Sequence, residues 1–223
     1  MSEEDLSARP AWLAPLSDPK NEIILRAAFD VFQEQGLHAA TMLDVATRAR
    51  VSKETLYARF DSKEGLFYAL IAWGMRQSVT NGDDFALEPI TDPVAELRTY
   101  ARELTASFMH AESLAVYRMA VSESGRNPEI GRAFDDMGCA NSAGVLERLA
   151  PALEARGVIE ASDIDDMVHS LIGLLRGNYH HFALTGTLPV PTREEVDRRA
   201  DRAVELWLRA YRPAAQARAS VAA

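Results

Sequence analysis

The apolar positions of this chain recur at helical spacing nearly throughout. Ile23, Ile24, Ala27, Ala28, Val31 and Phe32 form the first face, opened by Asp18-Pro19 as N-cap and first helical residue and closed at Gly36. Val45, Ala46 and Ala49 make a narrow stripe on a second, short helix, which Thr41 caps with Asp44 three residues on. The pattern breaks at Arg50-Val51, and Ser52 is placed to cap a third helix by accepting from the Thr55 amide. Leu56 and Phe60, four apart, hold that helix to the body and leave Lys53, Glu54, Thr55, Tyr57 and Arg59 outward or at its ends. Asp61 or Ser62 caps the next helix, expected over 62–80 and apolar on several sides from Leu66 onward. The core of this head is expected from the first face with Leu43, Val45, Ala46, Leu56 and Phe60.

Further on, residues 80–91 read as a loop, and Asp92-Pro93 opens a helix with Leu97, Ala101, Leu104 and Phe108 on one side. A weak break at 110–113 precedes a helix over 114–124, and Asn127-Pro128 opens one reaching toward Gly157. A proline inside a helix costs about 3 kcal/mol, so Pro151 predicts a kink or two segments. Ser162 with Asp165 starts an apolar helix to about Thr185, and Thr192 with Glu195 forms a capping box for a last helix ending before Pro213. No segment of the body alternates with period two over a useful length, and there is no repeat and no glycine-rich phosphate loop. The fold class is all-α. Residues 1–17, carrying Trp12, Leu13 and Leu16 between Pro10 and Pro15, read as a mobile arm, and 214–223 as a frayed tail.

A net charge of −9 at first argues against a nucleic-acid partner. Its distribution answers this: residues 1–19 carry −3, residues 20–63 carry +1 and residues 64–223 carry −7. Within 36–63 the balance is +2, a weakly positive head on an acidic body. One cysteine, Cys139, excludes an intrachain disulfide and reads as a lone small hydrophobic thiol rather than a redox sensor. His169, His180 and His181 do not make a metal site, because the adjacent pair cannot share a helix face, and no other cluster has zinc spacing. No apolar run approaches membrane-spanning length and no signal peptide is evident, so a soluble cytoplasmic protein is expected. No nucleophile–base motif or recognisable carboxylate pair supports an enzyme.

Two short helices about a tight turn, with polar and basic residues near the start of the second, suit a helix-turn-helix that enters the DNA major groove; an ordinary helical hairpin has the same spacing. The residues narrow this. The run T-x3-V-A-x2-A-x-V-S-x2-T-L-Y-x2-F-x-S-K-E-x-L, from Thr41 to Leu66, resembles the DNA-binding domain of the TetR family of bacterial transcription regulators, and the likeness reaches back to about Asn21. It implies a three-helix DNA-binding domain over 18–66 and DNA contacts from Thr41, Met42, Ser52, Lys53, Glu54, Thr55, Tyr57, Arg59 and Lys63. Lys63 would touch a phosphate. Two positions depart from the pattern: Arg50 stands where the turn often has Gly, which tolerates positive φ, and Glu54 where a small residue is usual. Glu54 reads either as a carboxylate stabilised by the helix dipole or as a reader of cytosine.

Residues 67–213 form the regulatory body. From about Tyr117 to Tyr211 it resembles the C-terminal domain of the AefR-like subgroup, through the pattern at 118–134 (RMAVSESGRNPEIGRAF), 174–184 and a final amphipathic helix. The resemblance implies pairing of the last two helices with those of a second subunit; Val168, Leu171, Ile172, Gly173, Leu175, Gly177, Val204 and Leu208 are the expected interface. It also implies an internal cavity for a small apolar or amphipathic effector, with Tyr100, Leu104, Phe108, Met109, Tyr117, Met137, Asn178, Tyr179 and Phe182 as candidate lining. No cofactor is expected. The implied function is a homodimeric, ligand-released repressor on a palindromic operator; a helical adaptor without DNA binding and a helical enzyme are the rival readings.

Overall fold

The computed structural model describes residues 18–78, 90–187, 189 and 191–214, apart from the side chains of 75–78 and 139–141. The expected arm, most of the expected 80–91 loop, the Cys139 side chain and most of the tail lie outside the described residues. Among the described residues there are nine α-helices and no strand: α1 Pro19–Ala39, α2 Met42–Ala49, α3 Lys53–Phe60, α4 Lys63–Ser78, α5 Pro93–Met109, α6 Ala111–Ser124, α7 Pro128–Ala155, α8 Ile164–Thr185 and α9 Arg193–Ala210. None of the described helices is long and apolar enough to cross a membrane.

The helix starts follow the side chains that satisfy their free amides. The Asp18 carboxylate accepts from the Lys20 amide, and Asp92 accepts from Val94 and Ala95. Thr192 and Glu195 close a full capping box on α9. On α8 the cap is Asp163 rather than Ser162, because its carboxylate reaches both the Asp165 and Asp166 amides. Ser62, not Asp61, caps α4, its Oγ accepting from the Gly65 amide at 2.9 Å. Pro151 does not divide α7, which is one helix from Pro128 to Ala155; the proline is exposed, where water can solvate the carbonyl it leaves unpaired.

The chain forms two compact units: Met1–Arg76 with Ala115–Asp135, and Gln77–Leu114 with Asp136–Ala223. This differs from a division at residue 66. The reason is visible in α4, where Phe67 packs edge-on against Phe32 of α1 at 5.9 Å and the Arg26 guanidinium lies over the Trp73 ring. The first unit's core is Ile24, Leu25, Val31, Phe32, Val45, Leu56, Phe60 and Leu66, all buried. Ile23 and Leu43, expected in that core, are 56% and 61% exposed. Leu25, outside the expected face, is buried beside Ile24 instead. In the second unit α5, α8 and α9 pack on one another around Leu97, Leu104, Leu146, Leu149, Leu171, Val204 and Trp207.

Candidate nucleic-acid interface and regulatory unit

In the first unit, α2 and α3 meet at a turn that Arg50 completes. Arg50 is the C-cap of α2 at φ 55°, ψ 42°, its N–H donating to the Ala46 and Thr47 carbonyls. The left-handed conformation that glycine would supply is therefore adopted by arginine, at a backbone cost of about 1–2 kcal/mol. Ahead of it, the Asp44 amide donates to Thr41 Oγ1 at 3.2 Å and the Thr41 amide donates to the Asp44 carboxylate at 3.0 Å. The Thr41 hydroxyl and amide hold the Asp44 carboxyl below the usual range. At the next start, Ser52 Oγ accepts from the Thr55 amide at 3.1 Å.

This sets α3 with Leu56 and Phe60 buried and Ser52, Lys53, Glu54 and Tyr57 exposed, Tyr57 at 42%. Thr55 is half-buried and Thr41 is exposed, its hydroxyl engaged by Asp44. Lys53 Nζ sits 5.6 Å from the centre of the Tyr57 ring, one turn on. The Glu54 carboxyl is held below its usual range by its own backbone amide, then by the Ser52 hydroxyl. The helix start thus stabilises its ionised form.

Three expected contacts are placed elsewhere. Met42 is buried in the head core, with 6% of its surface exposed. Arg59 is half-buried; its Nη1 donates to Asp18 at 2.6 Å and to the buried Asn21 at 2.5 Å, tying the end of α3 to the start of α1. Arg59 in turn holds the Asp18 carboxyl below its usual range. Lys63 Nζ donates to the carbonyls of Leu37, His38 and Ala40 at 2.7, 3.1 and 3.0 Å. All three of its N–H groups are committed to the end of α1, whose last carbonyls the ammonium caps. Lys63→Ala should therefore lower the head's stability by about 1–2 kcal/mol. It should leave the salt slope of DNA binding unchanged, whereas removal of a true phosphate contact flattens that slope by about one. Thermal melts and a salt titration check both. Arg50, exposed beside α3, is the cation that the periodicity of the sequence did not single out.

The α3–α4 joint is strained. Asp61 has φ 55°, ψ −52°, a γ-turn closed by the Ser62 amide donating to the Phe60 carbonyl at 2.5 Å. That carbonyl lies 2.6 Å from where a Cβ on Gly65 would stand.

In the second unit the candidate lining residues divide. Tyr100 and Leu104 belong to the α5–α8–α9 core, where the Tyr100 hydroxyl donates to Ser142 Oγ at 2.9 Å and burial raises its pKa. Phe108, Met109 and Tyr179 surround a smaller apolar cluster with Leu114, Ala183 and Val196, and the Phe182 ring meets that of Tyr179 at 6.0 Å. Met137 is half-buried. Tyr117 lies in the other unit, edge-on to Phe134 at 5.0 Å. Asn178 is exposed, so water satisfies its amide and it does not line an interior.

The expected subunit interface also needs correction. Val168, Leu171, Ile172, Leu175 and Val204 are buried within the single chain, because this face of α8 packs on α5 and α9. Leu208 is half-buried against the same core. Gly173 and Gly177 are exposed, with Leu174 at 41% between them and Leu206 of α9 at 39%. Gly177 interrupts α8 at φ 45°, ψ −161°, a conformation nearly confined to glycine.

The three histidines are separated by role. His169 and His181 are exposed, and His169 Nδ1 is 2.7 Å from the Asp165 carbonyl. His180 is buried 5.9 Å from the Phe108 ring; burial and then the Arg176 charge push its pKa down to about 4 from 6.5. The folded protein keeps it neutral while the unfolded protein protonates it near pH 6.5. Stability should thus be full above that pH and fall toward pH 4, by up to about 3 kcal/mol. Urea titrations across that window, with His180→Leu as the variant that loses the slope, check the sign.

Comparison with known proteins agrees with this geometry. Residues 24–70 match the family described as bacterial regulatory proteins, tetR family, and residues 95–213 match the AefR-like transcriptional repressor C-terminal domain. Among curated relatives, the HTH-type transcriptional activator FasR of Mycolicibacterium smegmatis is 38% identical over 81 residues, 36% of each protein. The HTH-type transcriptional regulator UidR of Escherichia coli is 31% identical over 120 residues, 51% of this chain and 56% of that one. The matched stretch thus spans from about a third to just over half the length of these relatives. The solved Flavonoid-responsive Regulator FrrA is 30% identical with a TM-score of 0.67, covering 87% of this chain and 98% of its own. A TetR-family regulator from Mesorhizobium loti is 26% identical with a TM-score of 0.70, covering 87% and 97%. A helix-turn-helix head with a charged and aromatic α3 surface, joined in one polypeptide to a helical C-terminal domain of the AefR-like type, places this protein in the TetR family of bacterial transcription regulators.

Proposed function

We propose that this protein acts in the cytoplasm as a homodimeric repressor that covers a palindromic operator and leaves it when a small amphipathic effector enters the second unit. The observation that carries the reading is α3: its first turns expose Ser52, Lys53, Glu54 and Tyr57 while Leu56 and Phe60 anchor it. Lys53 and Tyr57 would contact DNA in the major groove, with Arg50 on a neighbouring phosphate. Among the described residues neither Lys53 nor Arg50 has a carboxylate within ion-pair distance, so neither needs to give up a partner on DNA. Repression is favoured by the AefR-like repressor domain over 95–213.

The exposed stripe of Gly173, Leu174 and Gly177 on α8, with Leu206 on α9, is the dimer face this reading uses, since the small residues let a second helix approach closely. Two heads on one face of DNA read half-sites about 34 Å apart or a multiple of it. An effector that alters their spacing releases the operator, and linkage requires that it bind the free protein better than the DNA-bound one. The relative FrrA is described as flavonoid-responsive, which supports a small-molecule effector. An electrophoretic mobility shift with the promoter beside the protein's own gene tests the reading: a discrete complex at one dimer per site is expected, and no shift at micromolar protein would favour an adaptor without DNA binding.

A further inference from the structure

A single exposed aliphatic side chain carries little by itself, since such residues scatter over ordinary surfaces. For Leu43 it is the position that matters. Along α2, Met42, Val45, Ala46 and Ala49 are buried in the head. Arg48 stands on the flank that faces α1, its guanidinium bidentate on Glu34 at 3.0 and 2.7 Å. Asp44, one turn before it, is engaged in the Thr41 cap. The remaining flank carries Leu43, 61% exposed, and Thr47, also exposed, four residues on. It continues into Arg50 at the turn and so to the exposed start of α3. The Thr47 hydroxyl donates to the Leu43 carbonyl at 2.8 Å, which commits its hydrogen within the helix. What the flank presents at Leu43 is an isobutyl group with no donor and no acceptor. Ile23 of α1 is 56% exposed too, but its neighbours Asp18 and Asn21 hold Arg59 in the last turn of α3, at the other end of that helix.

A helix-turn-helix lays its second helix in the major groove, N-terminal end on the bases, and its first helix across the adjoining backbone. With α3 so placed, the free flank of α2 borders the same groove. The apolar group that base edges present there is the C5 methyl of thymine. We infer that Leu43 is a specificity-determining residue that reads one thymine methyl in each half-site. This rests on α3 being the reading helix and extends the reading surface to α2. The side chain is exposed in the free protein, so it breaks no packing to make the contact, and the water it sheds with the methyl favours the complex.

Deoxyuridine tests it, because it differs from thymidine only by that methyl. The duplex is the operator that the full-length wild-type protein selects from random DNA, with each thymine of one half-site exchanged in turn. Exchange at one position should weaken wild-type binding about fourfold, the factor for withdrawing one buried methyl group. Leu43→Ala should melt as the wild type does, since the side chain is exposed. It should bind the all-thymine operator about tenfold more weakly, having lost the contact in both half-sites. In this variant the same exchange should change affinity by less than about 1.5-fold, the mark of two groups that touch each other. A selected half-site with no fixed thymine, or an exchange penalty that is the same with and without Leu43, overturns the inference and leaves α3 as the reader. Equal weakening of Leu43→Ala on all sequences would place the leucine on the DNA backbone and overturn it as well. A wild-type protein that selects no sequence fails the reading of α3 itself, and this inference with it.

Discussion

Replacing Trp207 with alanine is expected to destabilise the second unit by about 3–5 kcal/mol, the cost typical of a fully buried tryptophan. Trp207 is 0% exposed and is the largest of the fully buried side chains among the described residues. Its Nε1 donates to the Met167 carbonyl at 3.0 Å and approaches Ser170 Oγ at 3.1 Å, and its ring centre lies 4.9 Å from that of Tyr211. The Tyr211 hydroxyl in turn contacts Ser170 and donates to Asp166, so one indole fastens α9 to the first half of α8. Since domains are stable by only about 5–15 kcal/mol, this loss takes a large share of the total. Trp207→Phe keeps most of the apolar area and should cost less, about 1–2 kcal/mol for the missing donor and the smaller ring. Urea titration of both variants checks the ranking; a Trp207→Ala loss below about 1 kcal/mol would mean that the ring is not the fastening it is taken to be.

Gly65→Ala should disable the head. A Cβ there would stand 2.6 Å from the Phe60 carbonyl oxygen and 3.3 Å from Ser62 Oγ. The serine could turn away at the loss of its cap, but the carbonyl is backbone held by the γ-turn at Asp61. The α3–α4 joint must open, at about 1–3 kcal/mol for overpacking, against which alanine's better helix propensity returns up to about 1 kcal/mol. The functional effect is larger than the net stability loss, because the end of α3 sets the angle of the whole helix. DNA binding by fluorescence anisotropy should fall by at least tenfold at a temperature where circular dichroism shows the variant still folded. Wild-type binding would show that the joint relaxes without moving α3.

What was legible in the sequence and what was not follows the reach of each interaction. The caps at Thr41, Ser52, Asp92 and Thr192 are contacts over two or three residues, and each is made by the side chain its spacing indicated. Arg59 reaches Asp18 and Asn21, 41 and 38 residues back, and Lys63 reaches carbonyls 23 to 26 residues back. No local pattern encodes these, so both side chains looked outward in the sequence. Periodicity also says which residues are apolar but not what covers them. Val168, Leu171 and Leu175 form a true helix face, and it is the chain's own α5 and α9 that bury it. Ile23 and Leu43 fit the stripes of their helices and still face water, since one turn of helix offers more apolar positions than a small head can bury. At Arg50 the family glycine signalled the left-handed turn correctly, and arginine accepts the strain that the turn requires.

The central claim is that the exposed start of α3 reads DNA. It is tested most directly by selecting bound duplexes from a random pool with the wild-type protein and with Tyr57→Ala. The Tyr57 ring is 42% exposed in the free protein, so its loss should leave the melting temperature nearly unchanged. The wild-type pool should converge on two inverted half-sites whose centres are about 34 Å apart or a multiple of that. The variant should bind that consensus about tenfold or more weakly, as expected for a base-contacting side chain worth about 1–3 kcal/mol. A wild-type pool that converges on no sequence, or a variant that selects and binds the same consensus as well as wild type, would contradict the assignment of α3 as the reading helix.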